Sequence, residues 1–400
     1  MKRKILYACS GPANLVRTYD YWLQGTSDPN EVSITFSSQI LDYCKKTNSP
    51  VYMISTSADK KLLVDNDVTI EHRKKTNISF LGGLGYHLSE LIYGIGLLIT
   101  ALRFKADIVL ADSGVTHYFI LFLFRLFGIK VIPVLHNTLW PSGFPPKKLS
   151  QRCVDWLDKW FFIYGANAIT GVSDECRIQV ESLAGQKAVA KFFQFRAQFE
   201  EDFFSKIPAA PDIDKKPFTI LFVGRVEEFK GVYDIVEMAS KLDDAHPGKF
   251  HWMICGTGPC LENLRALVQE KKANEYVSLK GWVSLTELSK IYTQTHLAIV
   301  PTTSGFREGL AMTAAEAVLA GRPVITSAVV PAMNEMKNAC YQAVTNDVDS
   351  YVKGINEIAS DRTLYESLRA SCQTESKQFI DRKKGLTAVL DNVIQFCFTK

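Results

Sequence analysis

Leu297-Ala-Ile-Val-Pro301, Phe306-Arg-Glu-Gly-Leu-Ala-Met-Thr-Ala-Ala-Glu316 and Ala317-Val-Leu-Ala-Gly-Arg-Pro-Val-Ile325 follow one another in this chain. They read as an apolar strand, a loop, a helix and a second apolar strand, the repeating unit of a parallel α/β sheet. One carboxylate, Glu308, falls in the loop and a second, Glu316, on the helix. At 1.5 Å per helical residue the two lie within about 12 Å of each other. That span suits a sugar at one end and a ribose at the other, with phosphates at the helix N-terminus between them. A solvated Glu beside a buried one is the plainer reading of the same pair.

Upstream, Ile220-Leu-Phe-Val223 reads as a buried strand that runs into Gly224-Arg225-Val-Glu-Glu-Phe-Lys230-Gly231. An Arg and a Lys in one loop at a strand's C-terminal end suit a diphosphate, the first as a planar fork and the second as a mobile point charge. Open α/β sheets bind ligands at that edge.

Strands and helices alternate along the rest of the chain, so the predicted fold is α/β with doubly wound parallel sheets. Strands are expected at 5–8, 51–54, 108–111, 131–135 and 168–172, with helices over 33–47, 86–104, 115–127, 148–164 and 174–184. A second set has strands near 219–223, 251–255, 277–280, 297–300 and 323–326, with helices near 231–242, 260–272, 284–293, 311–320 and 348–359. The Pro-, Asp- and Lys-rich segment from Ile207 to Pro217 reads as the linker. Four hundred residues exceed one core, so two domains are expected.

These pieces together resemble the family 4 glycosyltransferases, retaining enzymes of the GT-B fold. The resemblance rests on Gly224-Arg225-x4-Lys230-Gly231, Cys255-Gly-Thr-Gly-Pro259, Leu279-Lys-Gly281-Trp282-Val283, Glu308-x7-Glu316 and Ala320-Gly-Arg-Pro-Val324, in that family's order over roughly residues 218 to 330. The N-terminal half matches loosely, through His136-Asn137 and Gly171-Val-Ser173. It implies two Rossmann-like domains facing a central cleft: residues 1–205 for the acceptor, 206–383 for the nucleotide sugar, and a terminal helix over 384–400 that crosses back to the first domain.

The resemblance also implies roles. Arg225 and Lys230 would bind the donor's diphosphate and stabilise charge on the departing nucleotide, so no metal ion and no cofactor are called for, UDP being the favoured nucleotide. Glu316 would accept hydrogen bonds from the ribose hydroxyls and Glu308 would face the transferred sugar. Gly224, Gly309 and the backbone of Leu310, Ala311 and Met312 would meet sugar and phosphate; many relatives carry glycine at the position of Ala311. Gly256 and Gly258 would bring a tight loop near the nucleotide, helix-capping turn chemistry being the alternative. Trp282-Val283 would lie near the nucleobase, with Trp282 as simple core the alternative. His136 would stand beside the donor sugar and phosphate without serving as general base, since in such retaining enzymes the leaving phosphate takes the acceptor's proton. Gly11, Asn14 and Asn137 fall in loops of the acceptor domain.

Other features bound the reading. A net charge of +4 does not argue for nucleic acid, and the clusters His72-Arg-Lys-Lys75 and Lys147-Lys148 read as solvated loops, contact with an anionic membrane being the alternative. Asp107, Asp112 and Asp174 read as turn and cap residues. Trp156, Trp160, Phe161, Phe162 and Tyr164 read mostly as helix core, with part of the cluster open to a hydrophobic, lipid-linked acceptor. Nine cysteines without paired spacing suggest free thiols in a reducing compartment, and Cys255 and Cys260 lack the partners of a zinc site. The N-terminal apolar run is too short for a signal peptide, and Leu91 to Leu102 too short to span a bilayer. The expectation is therefore a cytoplasmic protein that acts on a glycan or lipid-linked glycan, with peripheral contact at the inner membrane face left open. A nucleotide-sugar epimerase of the same fold and a catalytically silent nucleotide-sugar-binding partner are the alternatives.

Overall fold

The computed structural model describes residues 2–57, 59, 61–78, 80 and 82–399. It divides into two units: residues 1–139, 146–197 and 382–400 form the first, and 140–145 with 198–381 the second. The division at 197/198 falls a little before the 205/206 position expected from sequence.

The first unit is built on an eight-stranded sheet. Its strands are β1 (Ile5–Ala8), β2 (Val51–Ser55), β3 (Leu62–Asp65), β4 (Val68–His72), β5 (Ile108–Asp112), β6 (Lys130–Leu135), β7 (Ile169–Gly171) and β8 (Phe192–Gln194). They lie in the order β3-β4-β2-β1-β5-β6-β7-β8, all neighbours parallel except the β3–β4 hairpin. The central strands β1 and β5 are buried along their whole length, as parallel strands covered on both faces must be. The edge hairpin and β8 escape the sequence pattern, being short and only partly covered.

Helix Gly82–Phe104 is longer than expected and, by length and composition, passes for a membrane-crossing segment. It is the crossover from β4 to β5, with one side packed inward through Tyr93, Leu97 and Ala101. The predicted helix over 115–127 breaks into a 3-10 turn, Tyr118–Leu121, and a short helix, Phe122–Leu126. The terminal helix Leu386–Thr399 packs on helix Phe36–Thr47 within this unit. Gln39 fixes it, its side-chain oxygen accepting from Leu386 N at 2.8 Å and its carbonyl from Thr387 Oγ1 at 2.8 Å.

The second unit holds a six-stranded parallel sheet: β9 (Phe218–Val223), β10 (Phe250–Cys255), β11 (Val277–Gly281), β12 (Leu297–Val300), β13 (Val324–Ser327) and β14 (Cys340–Ala343), in the order β11-β10-β9-β12-β13-β14. The first strand therefore lies in the middle and the chain reverses direction between β9 and β12, the switch point at which such sheets open a crevice. Phe218, Trp252, Leu297 and Ile325 from four strands join Val236, Leu264 and Ile355 from covering helices in one core.

Arg322 of the Ala320-Gly-Arg-Pro-Val324 motif is wholly buried. Its guanidinium donates to the carbonyls of Ala320, Tyr292 and Pro208. Two of these lie at the ends of helices Met312–Leu319 and Leu285–Tyr292, where carbonyls lack helical partners. Burial lowers its pKa to about 10. The motif is thus a clamp that holds two helices behind the crevice.

Candidate active site

Both charged motifs of the second unit sit where β9 and β12 end. After β9 the chain passes Gly224 and Arg225, makes the 3-10 turn Glu228–Lys230 and reverses at Gly231, whose φ is +73°. A Cβ on Gly231 would come 2.2 Å from the carbonyl oxygen of Pro301, which follows β12. Only glycine permits that approach, and it draws Lys230 to the loop that carries Glu308.

There the Lys230 ammonium donates to Glu308 Oε2 at 2.6 Å, and Thr302 Oγ1 donates to the same oxygen at 3.1 Å. The ammonium also lies 4.2 Å from the centroid of the Phe306 ring, which stacks on Phe229 at 4.7 Å. A cation–π contact and a short charge-assisted hydrogen bond hold one nitrogen in place. Thr302, Phe306 and Phe229 support this pair; the sequence marks Lys230 and Glu308 as separate site residues, on diphosphate and sugar, and does not reveal their direct contact. Arg225 behaves differently: its side chain is 63% exposed and reaches Glu227 at 2.9 Å, a contact weak enough to exchange for an anion.

Glu316 is buried on helix Met312–Leu319. Its charge is one cause, after burial, that pushes the Tyr292 hydroxyl well above its usual pKa. The helix starts at Ala311 in the left-handed region, φ +72°, with no side chain capping the first turn and no acidic residue in it. Those uncapped amides, from Met312 onward, are suited to an anion. That left-handed backbone is one glycine would adopt without strain. Gly309 and Leu310 are buried beside it.

Gly256 and Gly258 have another reason to be glycine. A Cβ on the first would stand 1.7 Å from Gly224 O and on the second 2.3 Å from Val226 O. The two loops lie backbone on backbone, Val226 N donating to Thr257 O at 2.9 Å and Cys260 N to Val226 O at 3.1 Å. Trp282 is 60% exposed, which overturns the core alternative; Val283 next to it is half-buried.

In the first unit His136 follows β6, its Nε2 2.7 Å from Asp112 Oδ1 at the end of β5. Its ring stacks on Phe36 at 4.1 Å, and its Nδ1 is buried with no hydrogen-bond partner. Asp112 corrects the sequence reading. It is a buried hub, not a turn residue, whose Oδ2 accepts from the Tyr7 hydroxyl at 2.7 Å and from Ser10 N at 3.2 Å. Burial and the Asp112 charge push the Tyr7 hydroxyl well above its usual pKa. Asn137 N donates to Ser113 Oγ at 3.2 Å. Gly11 turns with φ +75°, and Asn14 caps helix Leu15–Leu23 by accepting from Arg17 N at 3.1 Å. Asp107 lies in the bend before β5 and accepts from Lys4 N, whereas Asp174 is the first residue of helix Asp174–Ala184, with Ser173 at the N-cap position, and pairs with Arg177. His72-Arg-Lys-Lys75 is not a solvated loop: His72 is buried, Arg73 bonds Glu71, and Lys75 bonds Glu90. Among the described residues no cluster of three or more His, Cys, Asp or Glu side chains could hold a metal ion.

In sequence and in fold the chain is similar to known glycosyltransferases. Residues 203–378 match the model of the family described as glycosyl transferases group 1. The uncharacterized glycosyltransferase MJ1607 of Methanocaldococcus jannaschii is 28% identical over 144 residues, 36% of each chain. The alpha-D-kanosaminyltransferase of Streptomyces kanamyceticus is 22% identical over 200 residues, 47% of this chain and 51% of that one. The chain thus spans between about a third and a half of the length of the curated relatives it matches. In structure it is similar to Anabaena HepE in complex with UDP, with a TM-score of 0.66 at 12% identity over 99% of this chain and 100% of that one, which shows a shared fold. The Lys230–Glu308 pair lies within the segment, residues 203–378, that is similar to the group 1 glycosyl transferases, and the chain as a whole has the GT-B fold.

Proposed function

We propose that the chain is a retaining, metal-independent glycosyltransferase, which moves a sugar from a nucleotide-diphosphate sugar, UDP favoured, to a glycan or lipid-linked glycan in polysaccharide or glycolipid synthesis. The observation that carries this reading is the 2.6 Å pairing of Lys230 with Glu308 at the sheet's C-terminal edge, with the exposed Arg225 on the same loop as the lysine. In this scheme Arg225 and Lys230 hold the diphosphate, and the amides that open helix Met312–Leu319 meet its oxygens. Glu316 takes the ribose hydroxyls and Trp282-Val283 border the base. Glu308 bonds the sugar hydroxyls and favours positive charge at the anomeric carbon as its bond to the phosphate oxygen breaks. The acceptor hydroxyl forms the new bond on the same face, and its proton passes to the departing phosphate. Fixed cations thereby stabilise the leaving group.

All nine cysteines are unpaired, which supports placing the protein in a reducing compartment, the cytoplasm. A panel of nucleotide sugars screened by thermal shift tests the donor: a ligand at a hundred times its Kd adds about 2.7 kcal/mol. Nucleotide release that needs an acceptor and vanishes in Glu308→Ala supports transfer. Release in neither protein supports the silent partner, and donor epimerised without acceptor supports the epimerase.

A further inference from the structure

Helix Gly82–Phe104 turns an apolar face outward. Leu84, Leu88, Ile92, Ile95, Ile99 and Leu102 are all exposed, Leu84 at 71%. At 100° per residue these six positions fall within an arc of about 80°, a single stripe some 27 Å long. The outer face of an ordinary crossover helix is polar; here its one carboxylate, Glu90, is buried against Lys75.

The stripe does not stand alone. The connections β4→β5, β5→β6 and β6→β7 all cross the sheet in one direction, so right-handed crossovers put them on one face of it. The middle connection packs against both of the others and exposes Leu126 and Phe127. The third contains helix Leu149–Trp160 and its extension to Gly165, which expose Trp156, Trp160 and Tyr164, with Trp160 stacked on Tyr164 at 5.8 Å. Expected from sequence to be mostly core, these three rings face outward, whereas Phe161 and Phe162 are buried.

Cations border the aromatic end. Lys147 and Lys148 just before this helix and Arg152 and Lys159 on it are exposed, while its carboxylates Asp155 and Asp158 are half-buried and buried. A recess beside Tyr164 is lined by Arg125, Lys130 and Lys187 and by no acidic residue. Apolar stripe, amphipathic rings and cations form the sequence acyl chain, interface and anionic headgroup.

We propose that this outer face of the first unit docks on an anionic lipid bilayer, the Gly82–Phe104 helix lying in the interface plane and the Lys147–Trp160 segment contacting the headgroups. The proposal does not depend on the transfer reading. It is tested by flotation of the full-length protein with vesicles of phosphatidylethanolamine and phosphatidylglycerol, or of phosphatidylcholine alone, with no sugar substrate present. Binding to the anionic vesicles that weakens in high salt is expected. Ile92→Glu combined with Ile95→Glu should reduce partitioning by about tenfold or more without lowering the melting temperature, both side chains being exposed. Lys147→Glu with Lys148→Glu should remove the preference for anionic lipid. Equal binding of wild type and the Ile92/Ile95 variant, or no binding at low salt, overturns the proposal. So does a wild-type dimer that the same variant converts to monomers, since the face would then be a contact between two copies.

Discussion

The Lys230 ammonium and the Glu308 carboxylate, 78 residues apart in sequence, meet at 2.6 Å. The lysine is drawn in by the glycine that lets its loop touch Pro301, and the carboxylate is steadied from within its own loop by Thr302. In the proposed reaction they act on opposite partners, the lysine on the phosphate and the glutamate on the sugar. Lys230→Ala should therefore weaken donor binding and cut transfer by roughly a hundredfold or more. Glu308→Gln should cut transfer comparably while leaving nucleotide affinity nearly unchanged. Calorimetric titration with the donor nucleotide separates the two effects, and a Glu308→Gln variant that loses both equally would contradict the division of roles.

Ala311 gives a prediction of opposite sign. A side chain at φ +72° costs roughly 1–2 kcal/mol, part of which glycine recovers against its own greater flexibility when unfolded. Ala311→Gly should raise stability by about 0.5 kcal/mol and leave donor affinity equal or tighter. Urea unfolding measures the first. A clear loss of stability would show that the methyl group packs favourably enough to outweigh the strain.

The readable part of this site was its local chemistry. A strand followed by Gly-Arg-x4-Lys-Gly, and another followed by Glu-x7-Glu, place their charges at one sheet edge once the strands are parallel. What stayed hidden was non-local. Tyr7, Ser10, Asp112 and His136 converge because β1, β5 and β6 are neighbours in the sheet, an adjacency no spacing reveals. Asp112 thus looked like one more turn residue. Gly256 and Gly258 looked like ligand contacts, yet the backbone of a neighbouring loop already requires them to lack side chains. The helix over 82–104 was legible as apolar, but composition does not say which side a neighbour covers.

Arg322 tests the clamp behind the crevice. Its guanidinium serves three carbonyls, two of them, Ala320 and Tyr292, in buried contacts. Arg322→Ala removes those donors and leaves a cavity, at a cost of roughly 3–5 kcal/mol. Thermal unfolding should show it, together with a fall in yield. A variant as stable as wild type would mean that the helix ends find other partners.

His296 makes stability depend on pH. It is buried at the foot of β12, stacked on Phe218, and its Nδ1 accepts from Thr219 N at 3.0 Å while Nε2 faces Asp212 O at 3.2 Å. A proton on Nδ1 would set two donors face to face, and Lys215 and Lys216 add like charge. Burial, the largest cause, lowers its pKa to about 4, against about 6.5 in an unfolded chain. Between those values the unfolded state binds the proton and the folded state does not, so stability is present above the window and lost as pH falls through it. His117, lowered to about 4, and Asp158, raised to about 7, also titrate, so a single pH curve mixes opposing contributions. Both remain in His296→Gln, which keeps one acceptor and one donor. From pH about 7 to about 4.5 the wild type should lose roughly 2 kcal/mol more than the variant, read from urea midpoints at each pH. Parallel curves for the two proteins would show that His296 is protonated without strain.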